Sequence, residues 1–238
     1  MAEAAAANTN AQVGVDTAAQ RRMMVERQLR TFDVSDVPVL QRFVDVPREA
    51  FLPADLAPLA YSDMAIALKD AQGRKGRTLL PPLVLARLIQ GAAIRPEHKV
   101  LDIGGGAGYS AALLSGLAAE VVALESDAQL AEQARANLQK LGVANVRVEQ
   151  GALEKGVPAT GLYDVILIHG RIEDGLEPLF AQLAPNGHLV AIVKNGVDGG
   201  QQVLRFERSE GRAAGERALF DAIAPVLPGF QKAAAFAF

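Results

Sequence analysis

The residues whose types and spacing point to chemistry are concentrated between positions 100 and 126. Val100-Leu101-Asp102-Ile103 is an apolar run that breaks into Gly104-Gly105-Gly106-Ala107-Gly108 and continues as a helix start at Tyr109-Ser110. Such a junction is where a nucleotide-like ligand rests on the main chain. Glycines at 104, 106 and 108 admit backbone angles closed to other residues and put no side chain in the ligand's way. Glu125 follows Gly104 by 21 residues, closing a second apolar run, Val121-Val122-Ala123-Leu124. An acidic side chain at that distance grips ribose hydroxyls. Together the two features outline an adenosine site.

The loop does not follow the GxGxxG spacing of dinucleotide sites. A third glycine would stand at 109, where the ring of Tyr109 blocks the close helix-to-strand approach a glycine allows. Asp102 argues in the same direction, because a carboxylate there repels a pyrophosphate and favours a ligand carrying an ammonium and a sulfonium. S-adenosylmethionine carries both. Its own carboxylate suits the unpaired backbone N–H groups at the helix start around Tyr109 and Ser110. The donor-site residues expected are therefore Asp102, Gly104, Gly106, Gly108, Tyr109 and Glu125, together with the neighbouring Ser126.

The elements that must position this loop follow from periodicity. From Lys99 onward, apolar runs and helical stretches alternate with short links, the pattern of a mostly parallel α/β sheet covered on both faces. Strands are expected at 100–103, 121–125, 146–150, 163–169 and 188–194. Helices are expected at 109–117, 127–141 and 173–183, the second capped by Asp127 and stopped by Gly142. Right-handed crossovers then bring Gly104, Glu125, Gly151 and His169 to the carboxyl edge of the sheet. Upstream, helices are expected over 21–32, from a Ser35 cap to Pro47, and over 81–94. After Gly200, runs at 202–208 and 218–226 read as an antiparallel hairpin added to the sheet edge. Residues 1–18 read as a disordered tail, and 19–238 as one domain with a helical segment to 97, a core from 98 to 200, and a hairpin and tail from 201.

Composition narrows the classes further. Of 238 residues 50% are hydrophobic and 21% charged, enough to bury a full core. A net charge of −3 gives no basic excess for nucleic acid, so none is expected as a partner. No apolar run approaches the ~20 residues of a membrane span, no basic-then-apolar leader opens the sequence, and a cytoplasmic location is expected. The chain has no cysteine, hence no disulfide framework or thiol nucleophile. His98, His169 and His188 are too scattered for a metal cluster, so no metal is expected.

Beyond the donor loop, the chain resembles the protein-L-isoaspartate O-methyltransferase family from about Arg21 to Val226. Met24-Val25-Glu26-Arg27-Gln28-Leu29, Val46-Pro47-Arg48-Glu49-Ala50-Phe51-Leu52-Pro53 and Ala60-Tyr61-Ser62-Asp63 look like that family's N-terminal helical segment. Leu183-Ala184-Pro185-Asn186-Gly187-His188-Leu189-Val190 resembles its fifth-strand entry, and Gln201-Gln202 with the following hairpin resembles its C-terminal extension. The resemblance implies a doubly wound, Rossmann-like methyltransferase fold. It also implies methyl transfer from S-adenosylmethionine to the carboxylate of isoaspartyl residues in damaged protein or peptide.

The chain departs from the family in two places. Where the family reads Thr-Ile-Ser-Gln-Pro, with the serine lining the transfer site, this chain has Thr78-Leu79-Leu80-Pro81-Pro82. Leu80 offers no hydrogen bond to an acceptor, and Thr78 is the nearest hydroxyl, which makes it the acceptor-side candidate. Where the family carries Gly-Asp-Gly after the third strand, this chain has Gly151-Ala152-Leu153, so backbone groups there must read the adenine edge. These departures keep two other readings open: a methyltransferase for another protein or small-molecule acceptor, and a non-catalytic cofactor-binding module.

An acceptor carboxylate with an ordinary pKa of about 3.9 is ionised at neutral pH and requires no general base. The protein's task is alignment. His169, followed by Gly170 and Arg171 at the end of the fourth core strand, is the second catalytic candidate, touching substrate or serving as base for a hydroxyl or amine acceptor. Arg171 would pair with a substrate carboxylate. The plainer alternative is a strand-end histidine bonded to backbone beside an exposed arginine. Lys69, Arg74, Lys75 and Arg77 surround Gly73 and Gly76 in an expected loop, either a mobile lid drawing in acidic peptide or a solvated charge run. Tyr61 reads as a packed aromatic, and His98 and His188 as surface or strand-edge residues.

Overall fold

The computed structural model describes residues 16–69, 73, 75–194, 199–209 and 212–232. Most of the expected tail, residues 1–15, and Arg74 of the expected loop lie outside the described residues. The first described element is helix α1 (Thr17–Met24), which runs through a π turn at Val25–Leu29 into a 3-10 turn at Arg30–Phe32. Met24, Val25 and Leu29 are buried, whereas Phe32, expected on the same face, is exposed because the tighter last turn rotates it outward. Helix α2 (Val37–Asp45) is capped by Asp36, whose carboxylate accepts from the Val39 amide at 3.1 Å. The cap is thus one residue beyond Ser35, with Pro38 in the first turn where its missing N–H costs nothing.

The expected loop at 69–80 is instead an antiparallel hairpin, β1 (Ile66–Lys69) and β2 (Lys75–Leu79), with Leu68 opposite Arg77. Alternation along these strands places Ile66, Leu68, Arg77 and Leu79 on the buried side. Helix α3 (Pro82–Gly91) follows.

The main sheet then forms from β3 (Lys99–Ile103), β4 (Glu120–Glu125), β5 (Val146–Gln150), β6 (Tyr163–Ile172), β7 (Leu183–Lys194), β8 (Gln201–Ser209) and β9 (Arg212–Asp221). Between them lie α4 (Tyr109–Leu114), α5 (Ala128–Lys140) and α6 (Glu177–Phe180). The sheet order is β5-β4-β3-β6-β7-β8-β9, parallel through β7 and antiparallel in the last two pairings. This is the doubly wound, Rossmann-like arrangement expected, with the terminal hairpin on the edge. Asp127 caps α5 and Gly142 takes a positive φ of 68° just beyond it, as their residue types require. α6 is only four residues long, because Gly175 at φ 88° and Pro178 leave room for a single turn where a longer helix was expected.

Strand alternation divides the interior in two. Val100, Val121, Val165, Leu167, Val190 and Ile192 face a core built with Met24, Phe43, Leu85, Leu88 and Tyr109 from the helical segment. Leu101, Ile103, Val122, Leu124, Ile166 and Ile168 face the other, with Leu153, Leu179, Leu227 and Phe230. His98 and His188 belong to the interior, not the surface. His98 Nδ1 accepts from the Arg95 amide at 3.1 Å, and His188 Nε2 donates to the Ala92 carbonyl at 2.6 Å.

Candidate active site

Chain direction across the sheet reverses between β3 and β6, since β4 and β5 lie to one side of β3, and β6 and β7 to the other. A crevice opens at the carboxyl ends of the strands where such a reversal occurs. The loop leaving β3 carries Gly104, Gly106 and Gly108 at φ values of 74°, 69° and 96°, conformations that account for the residue type. Glu125 ends β4 one strand away, and His169 lies on β6 on the other side.

Both carboxylates already have partners. Asp102 accepts from the Ser110 hydroxyl through Oδ2 at 2.7 Å and is hydrogen-bonded to His169 Nε2 through Oδ1. Glu125 accepts from the amides of Ser126 at 2.7 Å, Asp127 at 2.9 Å and Gly106 at 3.2 Å. It also holds a bidentate ion pair with Arg77, Nη2 to Oε1 at 2.6 Å and Nε to Oε2 at 3.0 Å. Arg77 Nη2 reaches the Ser126 hydroxyl as well, at 2.6 Å. The two partners are 4% and 3% exposed, so the pair sits in a medium where charge-assisted hydrogen bonds are strong.

The ledge over the glycines is covered by apolar side chains. A methyl group added at Gly104 would lie 3.2 and 3.3 Å from the Leu227 methyls and 3.6 Å from Leu153; one added at Gly106 would lie 3.1 Å from Leu68. Leu227 is fixed there by backbone bonds to the end of β6, Leu227 N to Arg171 O at 3.0 Å and Arg171 N to Pro225 O at 2.9 Å. Thr78, Leu80, Ser110 and His169 converge with Gly104 and Gly105 around a cavity of ≈ 10 Å³, room for about one water. The residue types suit an adenosyl donor, but as arranged the crevice does not admit one.

The remaining expected residues divide between this crevice and the core. Gly151 and Ala152 lie beyond β5, partly exposed, while Leu153 is buried against Gly104. Tyr109 packs into the helical core, edge-on to Phe43 and Phe51, and burial pushes its phenol up to about 12. Tyr61 is a packed aromatic whose hydroxyl donates to Glu49. Arg171 pairs with Glu173 at 3.0 Å. Arg77 sits on Glu125, inside the crevice, where sequence reasoning had placed a lid or a solvated charge; the available signal was the two-residue alternation that puts it in line with Leu79. Arg48 stands in the Val46–Pro53 motif with no local sequence signal of its burial. It is fully buried, donates through Nη2 to the Leu80 carbonyl at 2.8 Å, and lies over the Tyr109 ring at 5.1 Å.

Comparison with known proteins decides the family. Residues 19–221 match the model of the protein-L-isoaspartate(D-aspartate) O-methyltransferase (PCMT) family. The chain belongs to this family. A protein-L-isoaspartate O-methyltransferase of Methylorubrum populi is 39% identical over 192 residues, covering 81% of this chain and 87% of the relative. One from Koribacter versatilis is 38% identical over 73% of this chain and 76% of its own length. Among solved structures, a protein-L-isoaspartate O-methyltransferase superposes with a TM-score of 0.77 at 25% identity, covering 88% of this chain and 66% of that one. A Plasmodium falciparum protein described as a putative member, in complex with S-adenosyl-L-homocysteine, shares the fold with a TM-score of 0.71 at 19% identity, over 87% of this chain and 97% of that one. The PCMT family depends on S-adenosylmethionine, the methyl donor expected from the sequence.

Proposed function

We propose that the chain transfers a methyl group from S-adenosylmethionine to the free carboxylate of isoaspartyl residues in damaged protein or peptide. The observation that carries this reading is the positive-φ glycine loop at the point of strand reversal, with Glu125 ending the adjacent strand, in a chain of the PCMT family. Donor contact is assigned to Asp102, Gly104, Gly106, Gly108, Glu125, Ser126 and the stretch from Gly151 to Leu153. Thr78 and His169 are assigned to the acceptor side, since both line the small cavity beside Gly104.

The acceptor is already an anion at neutral pH, so these residues have to orient it and exclude water rather than remove a proton. The His169 ring is held through Nε2 by Asp102, itself fixed by Ser110, which makes it a rigid wall of the acceptor cavity. Among the described residues no helix is long and apolar enough to cross a membrane. A cytoplasmic home, expected from the ordinary composition, is part of the same proposal, as is the division into a helical segment, a core and a terminal hairpin.

The test is labelled methyl transfer to an isoaspartyl peptide and to its aspartyl twin. Label on the isoaspartyl peptide alone is the expected result; equal labelling of both, or of neither, would overturn the substrate assignment. Leu80→Ser sharpens it. Leu80 is 2% exposed, so the serine should cost stability while raising isoaspartyl turnover if acceptor positioning limits the reaction.

A further inference from the structure

We propose that Arg77 is a built-in competitor for the methyl donor, occupying on Glu125 the place that a ribose diol would take. The inference rests on the assignment of this crevice to the donor, and three independent observations carry it. First, the guanidinium meets both oxygens of Glu125, at 2.6 and 3.0 Å, and a carboxylate so engaged has no oxygen left facing the crevice for a pair of vicinal hydroxyls. Its other three hydrogen bonds come from the amides of Gly106, Ser126 and Asp127, which hold it rigidly where it is. Second, Arg77 is inward-facing by register. It lies opposite Leu68, whose methyl group abuts Gly106, so β1 and β2 press one charged and one apolar side chain onto the glycine loop together. Third, Leu227 closes the ledge from the opposite direction, over Gly104 and Gly170.

Donor binding therefore exchanges one set of hydrogen bonds on Glu125 for another. The apparent affinity is reduced by the fraction of molecules in which Arg77 holds the carboxylate. Arg77 thus sets the affinity of the donor site: it lowers affinity for any adenosyl ligand and leaves the acceptor cavity untouched.

The experiment is calorimetric titration of S-adenosylhomocysteine into the full chain as wild type, Arg77→Gln and Arg77→Gln/Glu125→Gln. The single variant should bind at least ten-fold more tightly than wild type, and the double variant should lose that gain. Equal or weaker binding by Arg77→Gln would overturn the competitor role while leaving the donor site standing. No binding by any of the three, with folding verified by circular dichroism, would overturn the donor site and the competitor together. A second readout uses the unmodified protein, so that it does not depend on a variant folding. The Arg77 Nε–H resonance in a ¹⁵N-labelled sample should be protected from exchange in the free chain and lose that protection as S-adenosylhomocysteine is added; protection that survives saturation would sink the idea.

Discussion

Two buried arginines adjoin the stretch from Thr78 to Leu80, Arg77 as its chain neighbour and Arg48 through the Leu80 carbonyl, and the fold treats them differently. Arg77 meets a carboxylate through two hydrogen bonds and a hydroxyl through a third. Among the described residues Arg48 meets no carboxylate. It has one bond to the Leu80 carbonyl and the face of Tyr109, while its Nε and Nη1, like the Tyr109 hydroxyl, have no partner among the described residues. Burial accordingly lowers the pKa of Arg48 from the usual guanidinium range. Arg77 is held by charge, Arg48 by shape. A charge-held group fails when its partner is removed, whereas a shape-held group tolerates an apolar replacement of similar length.

The largest effect follows from breaking the first arrangement. Glu125→Ala strands the Arg77 guanidinium in a dry site and should cost about 3–5 kcal/mol of stability. The reciprocal change, Arg77→Gln, leaves Glu125 with three amide donors and should cost less, roughly 1–3 kcal/mol. Urea denaturation of the two variants side by side reads the asymmetry, and equal losses would mean that the backbone amides do not support the carboxylate as the geometry indicates.

A smaller effect is expected at the other arginine. Arg48→Met keeps the length of the side chain and removes two unpartnered donors, at the expense of the bond to Leu80. These changes offset one another, and stability should shift by no more than about 1 kcal/mol in either direction. A loss of the size expected for Glu125→Ala would show that the cation over the Tyr109 ring contributes far more than its single hydrogen bond suggests, and the contrast between the two arginines would collapse.

The same contrast explains what was legible in the sequence. Features encoded locally were readable: the glycine loop, the apolar runs of β3 and β4, the bounds of β5, the Asp127 cap and the Gly142 stop. Each depends on residues within a few positions of one another. The covering of the crevice depends instead on residues far apart in the chain. Arg77 finds Glu125 across 48 positions, and Leu227 reaches Gly104 through a backbone ladder with Arg171. A hairpin bearing lysine, arginine and two glycines has the composition of a solvated loop, and only the inward register of Leu68 and Leu79 reveals that Arg77 is buried. His98 and His188 were misjudged for a related reason. Their burial is made possible by the main-chain groups of Arg95 and Ala92, which sequence does not display.

The smallest effect concerns His188, on β7 between β6 and β8. Its ring is buried, which is the main cause of a pKa below the ordinary 6.5; the nearby Arg205 and His98 push in the same direction, while the bond to Ala92 and the charge of Glu207 oppose them. Because the folded form resists protonation more than the unfolded chain does, its contribution to stability is complete above about pH 6.5. It declines as pH falls from there through the lowered folded value. Wild-type protein should therefore show a falling urea midpoint from pH 7 toward 5. His188→Gln, which keeps an N–H donor for the Ala92 carbonyl without a titratable ring, should flatten that decline while leaving donor affinity unchanged. Were the slope to persist in the variant, the acid sensitivity would belong to another group, and burial of the His188 ring would not be its source.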